Sequence, residues 1–292
     1  MDHIGLVGLG RMGAAYAHNL LAAGYRVTGF DISGDALERL KELGGTPAES
    51  SAGVAERSDI VLVALPSGSA LHDAVAGPSG LVEGAASGLI VVEMSTLPIA
   101  TKQEARQALA SAGAITIDAP VSGTGLQADA AEIVVYGSGD PDALARVGPV
   151  FEVIAKATYD LGDFGNGSKM KFVANLLVSI HNLATAEAFV LGARAGLDPR
   201  RILEVISAGV GSSRIFEIRG PMIVADDYPP AARLDMFIKD IGVIGDFGRA
   251  LGVPTPLLDA SLPWYQEAVS SGLGDLDAAA LARLLEAKTE DR

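Results

Sequence analysis

Cysteine is absent from the 292-residue chain, and histidine occurs only four times. Without cysteine the protein has no disulfide, no thiolate nucleophile and no cysteine metal site. The histidines His3, His18, His72 and His181 lack metal-ligand spacing such as HExxH. We therefore predict no metal cofactor and interpret all four histidines as structural. The lack of cysteine fits a reducing compartment, and we predict a cytoplasmic protein.

Basic residues and long hydrophobic runs are also scarce. The chain has 22 Lys and Arg against 36 Asp and Glu, a formal net charge of −14. Because nucleic-acid binding needs clustered Lys and Arg, this balance argues against a nucleic-acid partner and an anionic membrane surface. The negative net charge does not exclude small anionic ligands, because helix N-termini can bind them. The longest apolar runs, Ile60–Leu65 and Leu89–Val92, are far shorter than a membrane span, and no secretory signal is evident.

Short apolar runs alternate with helical segments through the first half of the chain. Six predicted strands are Ile4–Val7, Val27–Phe30, Ile60–Ala64, Leu89–Glu93, Ile115–Asp118 and Ile133–Tyr136. Helical patterns such as Met12–Ala23, Gly34–Leu43 and Thr101–Ala112 separate most of them. This alternation predicts a doubly wound, Rossmann-type α/β sheet of parallel strands.

The second half of the chain has a helical pattern throughout. Strand signals end after Tyr159–Leu161, and the glycine-rich segment Gly162–Gly167 follows. A long helix is predicted from Ser168 to about Ala195, where Gly196 can act as its C-cap. We therefore predict an α/β domain over residues 1–162 and an all-helical domain over residues 163–292.

A glycine-rich turn, Gly8-Leu9-Gly10-Arg11-Met12-Gly13, joins the first predicted strand to the first predicted helix. In a dinucleotide-binding turn the glycines allow the tight turn, the approach of the pyrophosphate and close helix–strand packing. Asp31 ends the next strand, where a carboxylate accepts the adenine-ribose hydroxyls and repels the 2′-phosphate of NADP. These six residues and Asp31 are predicted to bind NAD. The alternative is a structural turn followed by a solvated aspartate.

Further motifs extend over nearly the whole chain. They are Ile4–Gly13, Val63–Pro66, Glu93–Pro98, Asp118–Gly123, Gly165–Gly167 with Lys171 and Asn175, and Phe237–Asp240. In this order and spacing they resemble the β-hydroxyacid dehydrogenase family, which includes 3-hydroxyisobutyrate dehydrogenase and tartronate semialdehyde reductase. The resemblance implies an NAD-binding Rossmann domain, then a helical domain for substrate binding and oligomerisation. It also implies reversible hydride transfer between a small hydroxy acid and NAD.

The resemblance assigns roles to residues of the long helix and of the late lysine motif. Lys171 aligns with the family's acid/base, and Asn175 aligns with the asparagine that orients the substrate and this lysine. Oxidation of an alcohol by hydride loss needs such a base, and residues four apart share one helix face. Lys239 aligns with a lysine near the substrate and the nicotinamide. The alternative for Lys171 is a solvated helical lysine, and for Lys239 a solvated pair with Asp240.

The resemblance also assigns the loops that follow the strands. Ser122 aligns with the serine that binds the substrate carboxylate, helped by the amides of Gly123 and Thr124. The family's cofactor-contacting positions align with Leu65, Pro66 and Thr96.

Three departures from the family pattern fall near the substrate loop and the catalytic helix. Thr124 replaces a second loop glycine, Ala131-Glu132-Ile133 replaces the usual Gly-Thr-Leu, and Ala174 replaces one asparagine of a pair. Gly211-Ser212-Ser213 and Asp227-Tyr228 look somewhat like the threonate dehydrogenase branch, which acts at C2 of a polyhydroxy acid. A further alternative is a non-catalytic dinucleotide-binding scaffold or sensor, which the retained Lys171 disfavours.

The long predicted helix has apolar residues on more than one side, including Phe172, Val178, Phe189 and Val190. A small helical domain rarely covers so much apolar surface alone. We therefore predict a homodimer or a homotetramer.

Overall fold

The computed structural model describes residues 2–290. The chain divides into a first unit, Met1–Lys171, and a second unit from Phe172 onward, so the division falls inside one helix. This division lies beyond the predicted boundary at residue 162. The reason is that the first turn of the helix is hydrogen-bonded to strand-end residues of the first unit, as described below.

The first unit contains nine strands and eight complete helices. The strands are β1 (His3–Val7), β2 (Arg26–Phe30), β3 (Thr46–Pro47), β4 (Ile60–Val63), β5 (Ile90–Glu93), β6 (Ile115–Asp118), β7 (Val121–Ser122), β8 (Ile133–Gly137) and β9 (Ala155–Asp160). The helices are α1 (Arg11–Ala22), α2 (Gly34–Glu42), α3 (Ser51–Ala55), α4 (Gly68–Ala76), α5 (Leu81–Gly84), α6 (Ile99–Ser111), α7 (Gly125–Asp129) and α8 (Pro141–Ile154).

Six of these strands form the predicted doubly wound parallel sheet, in the order β3-β2-β1-β4-β5-β6. Its central strands are buried on both faces, which is why they appear in the sequence as continuous apolar runs rather than as alternating patterns. Apolar residues of β1, β4 and β5 pack against helices on both faces of the sheet. The predicted fold class is confirmed.

One predicted strand lies outside this sheet. The run Ile133–Tyr136 forms β8, which pairs antiparallel with β7 and parallel with β9 in a separate three-stranded sheet. The reason is that Asp118 and Ser138 exchange two backbone hydrogen bonds of 3.0 and 2.8 Å in an antiparallel bridge. The chain between them folds back through β7 and the five-residue α7, instead of making a full helical crossover.

The second unit is helical, as predicted. It comprises most of α9 (Asn166–Arg194), then α10 (Pro199–Ser207), α11 (Arg214–Ala225), α12 (Leu234–Ala250), α13 (Pro256–Ala268) and α14 (Leu281–Glu290), with short helical turns at Val269–Leu273 and Ala278–Ala280. Gly196 follows α9 with a φ of +87°, the left-handed conformation that favours glycine after a helix. A buried ion pair of 3.0 Å joins Arg219 and Asp277.

By length and composition alone, α9 is long and apolar enough to cross a membrane. A core helix of a soluble protein passes the same test, and 39% of the apolar window of α9 is buried in this structure. Tyr265 of α13 donates a hydrogen bond of 2.9 Å to the carbonyl of Ser179 and accepts one of 3.3 Å from Asn182. Tyr265 thus bonds α13 to this part of α9, whereas the buried Asn182 Oδ1 and Ser179 Oγ have no hydrogen-bond partner among the described residues.

The residues on which the oligomer prediction rested are mostly internal. Phe172, Phe189 and Val190 are buried, because Phe172 packs edge-on against Phe247 and Phe189 stacks on Phe216. The exposed apolar residues of α9 are different ones, namely Met170, Val173, Leu177 and Leu191.

Candidate active site

The carboxyl ends of four parallel strands meet at one edge of the large sheet. The register places Val7 beside Val63, Val63 beside Glu93, and Glu93 beside Asp118. The loops beyond these ends carry most of the predicted site residues: Gly8–Gly13, Leu65, Pro66, Thr96 and Ser122–Thr124. Open α/β sheets bind ligands at this edge. The fold of the first unit thus brings together loops that are far apart in sequence.

The glycines of the first turn are required for different reasons. Gly8 has a φ of +90°, and a Cβ there would collide with the carbonyl of Ala64. A Cβ on Gly13 would collide with the carbonyl of Gly8, so this glycine lets α1 pack closely on the turn. Gly10 is exposed, and a Cβ there would enter open space. Packing does not explain a glycine at position 10, whereas the approach of a pyrophosphate does.

The N-terminus of α1 faces the space beside Gly10 without a capping side chain. The first amides of a helix lack intrahelical partners, and the helix dipole favours an anion there. Together with the open position at Gly10, this arrangement fits the pyrophosphate of a nicotinamide dinucleotide.

Asp31 follows β2 and contacts the same turn. Its Oδ2 accepts a hydrogen bond of 2.7 Å from the amide of Leu9, and its Oδ1 accepts one of 2.8 Å from the amide of Ser33. The carboxylate is therefore held at the end of β2, where the prediction places the adenine ribose. It also shapes the turn, a role that the spacing in the sequence does not reveal.

The remaining two turn residues differ in their surroundings. Met12 is half-buried and packs against the core beneath α1. Arg11 is exposed and forms a two-pronged ion pair with Asp129 of α7. The Arg11 guanidinium, through its hydrogen bonds, lowers the pKa of Asp129. In this structure the Arg11 side chain thus bonds the turn to α7.

The loops after β4 and β5 are joined to each other. The amide of Leu65 donates a hydrogen bond of 2.9 Å to Oγ of Ser95. Leu65 and Thr96 are half-buried and Pro66 is exposed at this edge. These three predicted cofactor residues therefore lie on two loops that the Ser95 hydroxyl holds in register.

The loop after β7 differs from the predicted arrangement in one respect. Ser122 and Gly123 are accessible, but Thr124 is the N-cap of α7. Its amide donates to the side chain of Gln127 at 2.9 Å, and its hydroxyl accepts from the Gln127 amide at 3.3 Å. Because this capping box engages the Thr124 amide, Ser122 and Gly123 remain the better placed carboxylate donors.

The departure at Ala131 has a structural explanation. Ala131 has a φ of +54° and follows α7, where the Glu132 amide donates to the carbonyl of Gln127 and the Ala131 amide donates to that of Ala128. This is a Schellman motif, whose left-handed position usually holds glycine. The loop conformation is therefore retained with alanine at a cost in strain.

We expect Ala131→Gly to raise the free energy of unfolding by about 0.5–1 kcal/mol, because the strain of a left-handed alanine exceeds the entropy cost of glycine. The measurement is the urea midpoint. Ala130→Gly is the matched control, since Ala130 has a φ of −87° and gains nothing from glycine. A lower midpoint for Ala131→Gly than for wild type would contradict the prediction.

Lys171 lies in the second turn of α9, at the end of the first unit, and only 9% of it is exposed. The start of this helix is fixed by buried acceptors. Ser168 donates two hydrogen bonds of 2.8 Å to Asp118, one from its amide and one from its hydroxyl, and Gly167 donates one of 2.9 Å to Ser138. Lys171 is thus a buried lysine on a firmly held turn, and the alternative of a solvated lysine is contradicted.

Asn175 and Lys239 belong to the second unit. Asn175 is buried, four residues beyond Lys171 on the same helix, and its Nδ2 donates a hydrogen bond of 2.8 Å to Oδ2 of Asp240. Lys239 forms an ion pair of 3.3 Å with the same Asp240. Asp240 therefore connects the two predicted residues. Because one hydrogen bond uses a single N–H of Nδ2, the amide keeps a second donor and its Oδ1 acceptor.

Sequence reasoning missed several polar residues of this region. Lys102 of α6 is completely buried and contacts both Glu93 and Asp118. The sequence does contain a signal for the two carboxylates, because the buried strands β5 and β6 both end in an acidic residue and the register places Glu93 beside Asp118. The sequence suggests for Asp240 only a pair with the adjacent Lys239. Its contact with Asn175 could not be predicted because the two residues are 65 positions apart.

Two family models match consecutive parts of the chain. The model for the NAD-binding domain of 6-phosphogluconate dehydrogenase matches residues 3–162. The model described as the NAD-binding domain of NADP-dependent 3-hydroxyisobutyrate dehydrogenase matches residues 165–285. Together they support a nicotinamide dinucleotide cofactor.

Curated relatives match over almost their full lengths. An L-threonate dehydrogenase of Cupriavidus necator is 34% identical, over 97% of this chain and 95% of that protein. A 2-(hydroxymethyl)glutarate dehydrogenase of Eubacterium barkeri is 30% identical, over 98% and 95%. Among solved structures, a 3-hydroxyisobutyrate dehydrogenase of Salmonella typhimurium is 32% identical with a TM-score of 0.87, covering 97% of this chain and 100% of that one.

Proposed function

Since the chain belongs to the β-hydroxyacid dehydrogenase family, a family of oxidoreductases that use a nicotinamide dinucleotide, we propose that it oxidises the C2 hydroxyl of a small polyhydroxy acid of the threonate type with NAD. The observation that carries this proposal is the full-length similarity to L-threonate dehydrogenases at 34–35% identity. The segment Gly211-Ser212-Ser213 supports the same branch. The second candidate, a 3-hydroxyisobutyrate-type acid, is supported by the solved structures that are similar over the whole chain.

NAD, when bound, supplies the acceptor for the hydride that leaves the alcohol carbon. Lys171 removes the hydroxyl proton through its neutral Nζ, and in the reverse direction its ammonium returns this proton to the oxo group. A positive charge at Nζ stabilises the negative charge that develops on the substrate oxygen. Asn175, through its Oδ1, accepts a hydrogen bond from Lys171 or from the substrate hydroxyl and so orients one toward the other. The proposed role of Lys239 toward the substrate and the nicotinamide rests on the family resemblance.

Ser122 and the amide of Gly123 donate hydrogen bonds to the substrate carboxylate. These donors are neutral, so they bind an anion through directed bonds rather than through an opposing full charge. Gly8–Gly13, Leu65, Pro66 and Thr96 bind the cofactor, and Asp31 favours NAD over NADP. The products of the oxidation are the oxo acid, NADH and one proton.

The proposed function is tested with a panel of C3 to C6 hydroxy acids and NAD, followed at the NADH absorbance band. We expect the highest kcat/KM with threonate or a similar polyhydroxy acid. A preference for 3-hydroxyisobutyrate would support the second candidate instead. If no acid is oxidised with either dinucleotide, and no oxo acid is reduced, the proposal is wrong and a non-catalytic role gains support.

The carboxylate of the substrate is expected to contribute strongly to kcat/KM. Hydrogen bonds to a charged group each contribute about 1.5–3 kcal/mol, so replacing the acid by its neutral amide should lower kcat/KM by about 10- to 100-fold. The measurement compares the best acid of the panel with its own amide. Ser122→Ala should reduce the difference in kcat/KM between the acid and its amide. Equal turnover of the acid and the amide by wild type would refute the carboxylate assignment.

A homodimer or homotetramer is also part of the proposal. On α9, Val173 and Leu177 are 57% and 49% exposed. Because they are four residues apart, they share one helix face, and an exposed apolar patch of this kind is typical of a protein–protein interface. We expect light scattering at micromolar concentration to give at least twice the chain mass, and Leu177→Lys to reduce it. A monomeric wild-type mass would contradict this prediction. The absence of cysteine supports a cytoplasmic location.

A further inference from the structure

Lys102 is an ammonium group buried completely between two carboxylates. Its Nζ lies 2.6 Å from Oε2 of Glu93 and 2.8 Å from Oδ1 of Asp118, and all three side chains are at most 2% exposed. Burial by itself would lower the pKa of Lys102, but the charges of Glu93 and Asp118 outweigh this effect and raise it, so the lysine stays charged. Together with Ser168 these residues are called here the Lys102 cluster.

Stability alone does not explain such a cluster. Burying charged groups is costly, and well-packed apolar residues often replace a buried ion pair without loss of stability. The second unit contains a comparable pair, Arg219 and Asp277, whose carboxylate accepts hydrogen bonds from the backbone amides of Ala232 and Ala279. The Lys102 cluster differs because each of its carboxylates continues into a different part of the candidate active site.

Asp118 connects Lys102 to the helix of Lys171. Its two oxygens accept the amide and the hydroxyl of Ser168 at 2.8 Å, and Ser168 precedes Lys171 by three residues, less than one helical turn. A negative charge at a helix N-terminus is favourable, so the carboxylate fixes this end of α9 from outside. The direction of the Lys171 side chain depends on the helix turn that Asp118 holds.

Glu93 connects Lys102 to the cofactor loops. Its Oε1 accepts a hydrogen bond of 3.0 Å from the amide of Ser95, whose hydroxyl in turn accepts the amide of Leu65 at 2.9 Å. Leu65 and Thr96, the residue after Ser95, are the predicted cofactor contacts. A single carboxylate therefore lies between this ammonium and the acid/base helix, and a single carboxylate lies between it and the cofactor loop of Ser95.

We propose that Lys102 is a positioning residue for the dehydrogenase reaction, which sets the helix turn of Lys171 and the cofactor loop at Ser95 in register through Asp118 and Glu93. This inference rests on the proposed role of Lys171. Without the ammonium, the two carboxylates repel each other or one takes up a proton. Either response changes the hydrogen bonds to Ser168 or to Ser95, and a displacement of about 1 Å at a reacting group can lower its rate 100-fold.

The test compares Lys102→Met with Arg219→Met. Both variants replace a buried cation by the same unbranched apolar side chain, but only the first touches the Lys102 cluster. The readout is single-turnover hydride transfer per folded molecule, with both the hydroxy acid and NAD saturating, beside steady-state kcat and KM. We expect Lys102→Met to lower the single-turnover rate by about 10- to 100-fold, with KM changing less than kcat. Arg219→Met should retain the wild-type rate per folded molecule.

A milder variant covers the case in which Lys102→Met does not fold. Ser168→Ala removes the hydroxyl bond to Asp118 but keeps the amide bond, and we expect it to slow the single turnover by about three- to tenfold. Wild-type rates in every folded variant of the cluster, or an equal loss in Arg219→Met, would overturn the proposal. Failure of the proposed function gives a different result from failure of the Lys102 proposal. It would appear as an inactive wild type or as a fully active Lys171→Ala.

Discussion

Replacing Lys171 by alanine is expected to lower turnover by at least about 100-fold, because general acid–base catalysis contributes about 10²–10⁴ in rate. The substitution removes both the group that accepts the hydroxyl proton and the positive charge near the substrate oxygen. NAD affinity should change little, since the pyrophosphate is held by the turn at Gly8–Gly13. The measurement is single-turnover hydride transfer, with NAD affinity determined separately by calorimetry.

Two further variants sharpen this test. Lys169→Ala is the matched control, because Lys169 is exposed, bonds to Asn166 of the same turn, and lies two residues from Lys171. It should retain the wild-type rate. Lys171→Arg keeps the charge but does not readily release a proton, so it should stay close to Lys171→Ala if proton transfer is required. Hydride transfer at the wild-type rate in Lys171→Ala would remove this residue from the mechanism.

Asp31 is expected to set the choice of dinucleotide. Wild type should prefer NAD, and Asp31→Ala should lower kcat/KM for NAD by about 10- to 100-fold, because charge-assisted hydrogen bonds to the ribose contribute about 1.5–3 kcal/mol each. The same variant should lose less with NADP, since the repulsion of the 2′-phosphate disappears. The measured quantity is the ratio of kcat/KM for NAD to kcat/KM for NADP. A general distortion of the turn lowers both values alike and therefore leaves this ratio unchanged.

Asp31→Asn separates the charge from the shape of the turn. Its side-chain oxygen can still accept the amide of Leu9, as Oδ2 of Asp31 does at 2.7 Å. We expect Asp31→Asn to shift the NAD-to-NADP ratio with less loss of NAD activity than Asp31→Ala. A wild type that prefers NADP, or a ratio that neither variant changes, would show that Asp31 is not the ribose ligand.

The parallel sheet could be predicted because its strands are buried on both faces and so appear as apolar runs. The boundaries of β1, β4, β5 and β6 differ from the prediction by one residue at most at either end. The strands β3 and β7 were missed because each has only two residues. Hydrophobic periodicity needs a longer segment, and Pro47 in β3 lowers the strand signal further.

The candidate site was predicted in its motifs but not in its supporting contacts. The glycine turn and Asp31 are local patterns with fixed spacing, and a single sequence displays them directly. The bonds from Asp118 to Ser168 and from Asn175 to Asp240 span 50 and 65 residues. A local sequence pattern cannot reveal contacts between residues so far apart in the chain. These contacts can be identified only when the strand register and the helix packing are known.

The uninterrupted course of α9 has a consequence for protein engineering. The two family models meet between residues 162 and 165, and a chimera of two relatives would naturally be joined there. Such a junction separates Ser168 from the Asp118 with which it was selected, and it gives the acid/base turn to one parent and its anchor to the other. A junction after Lys171 keeps that turn with its own sheet, so a chimera joined there retains the hydrogen bonds between Asp118 and Ser168 from a single parent.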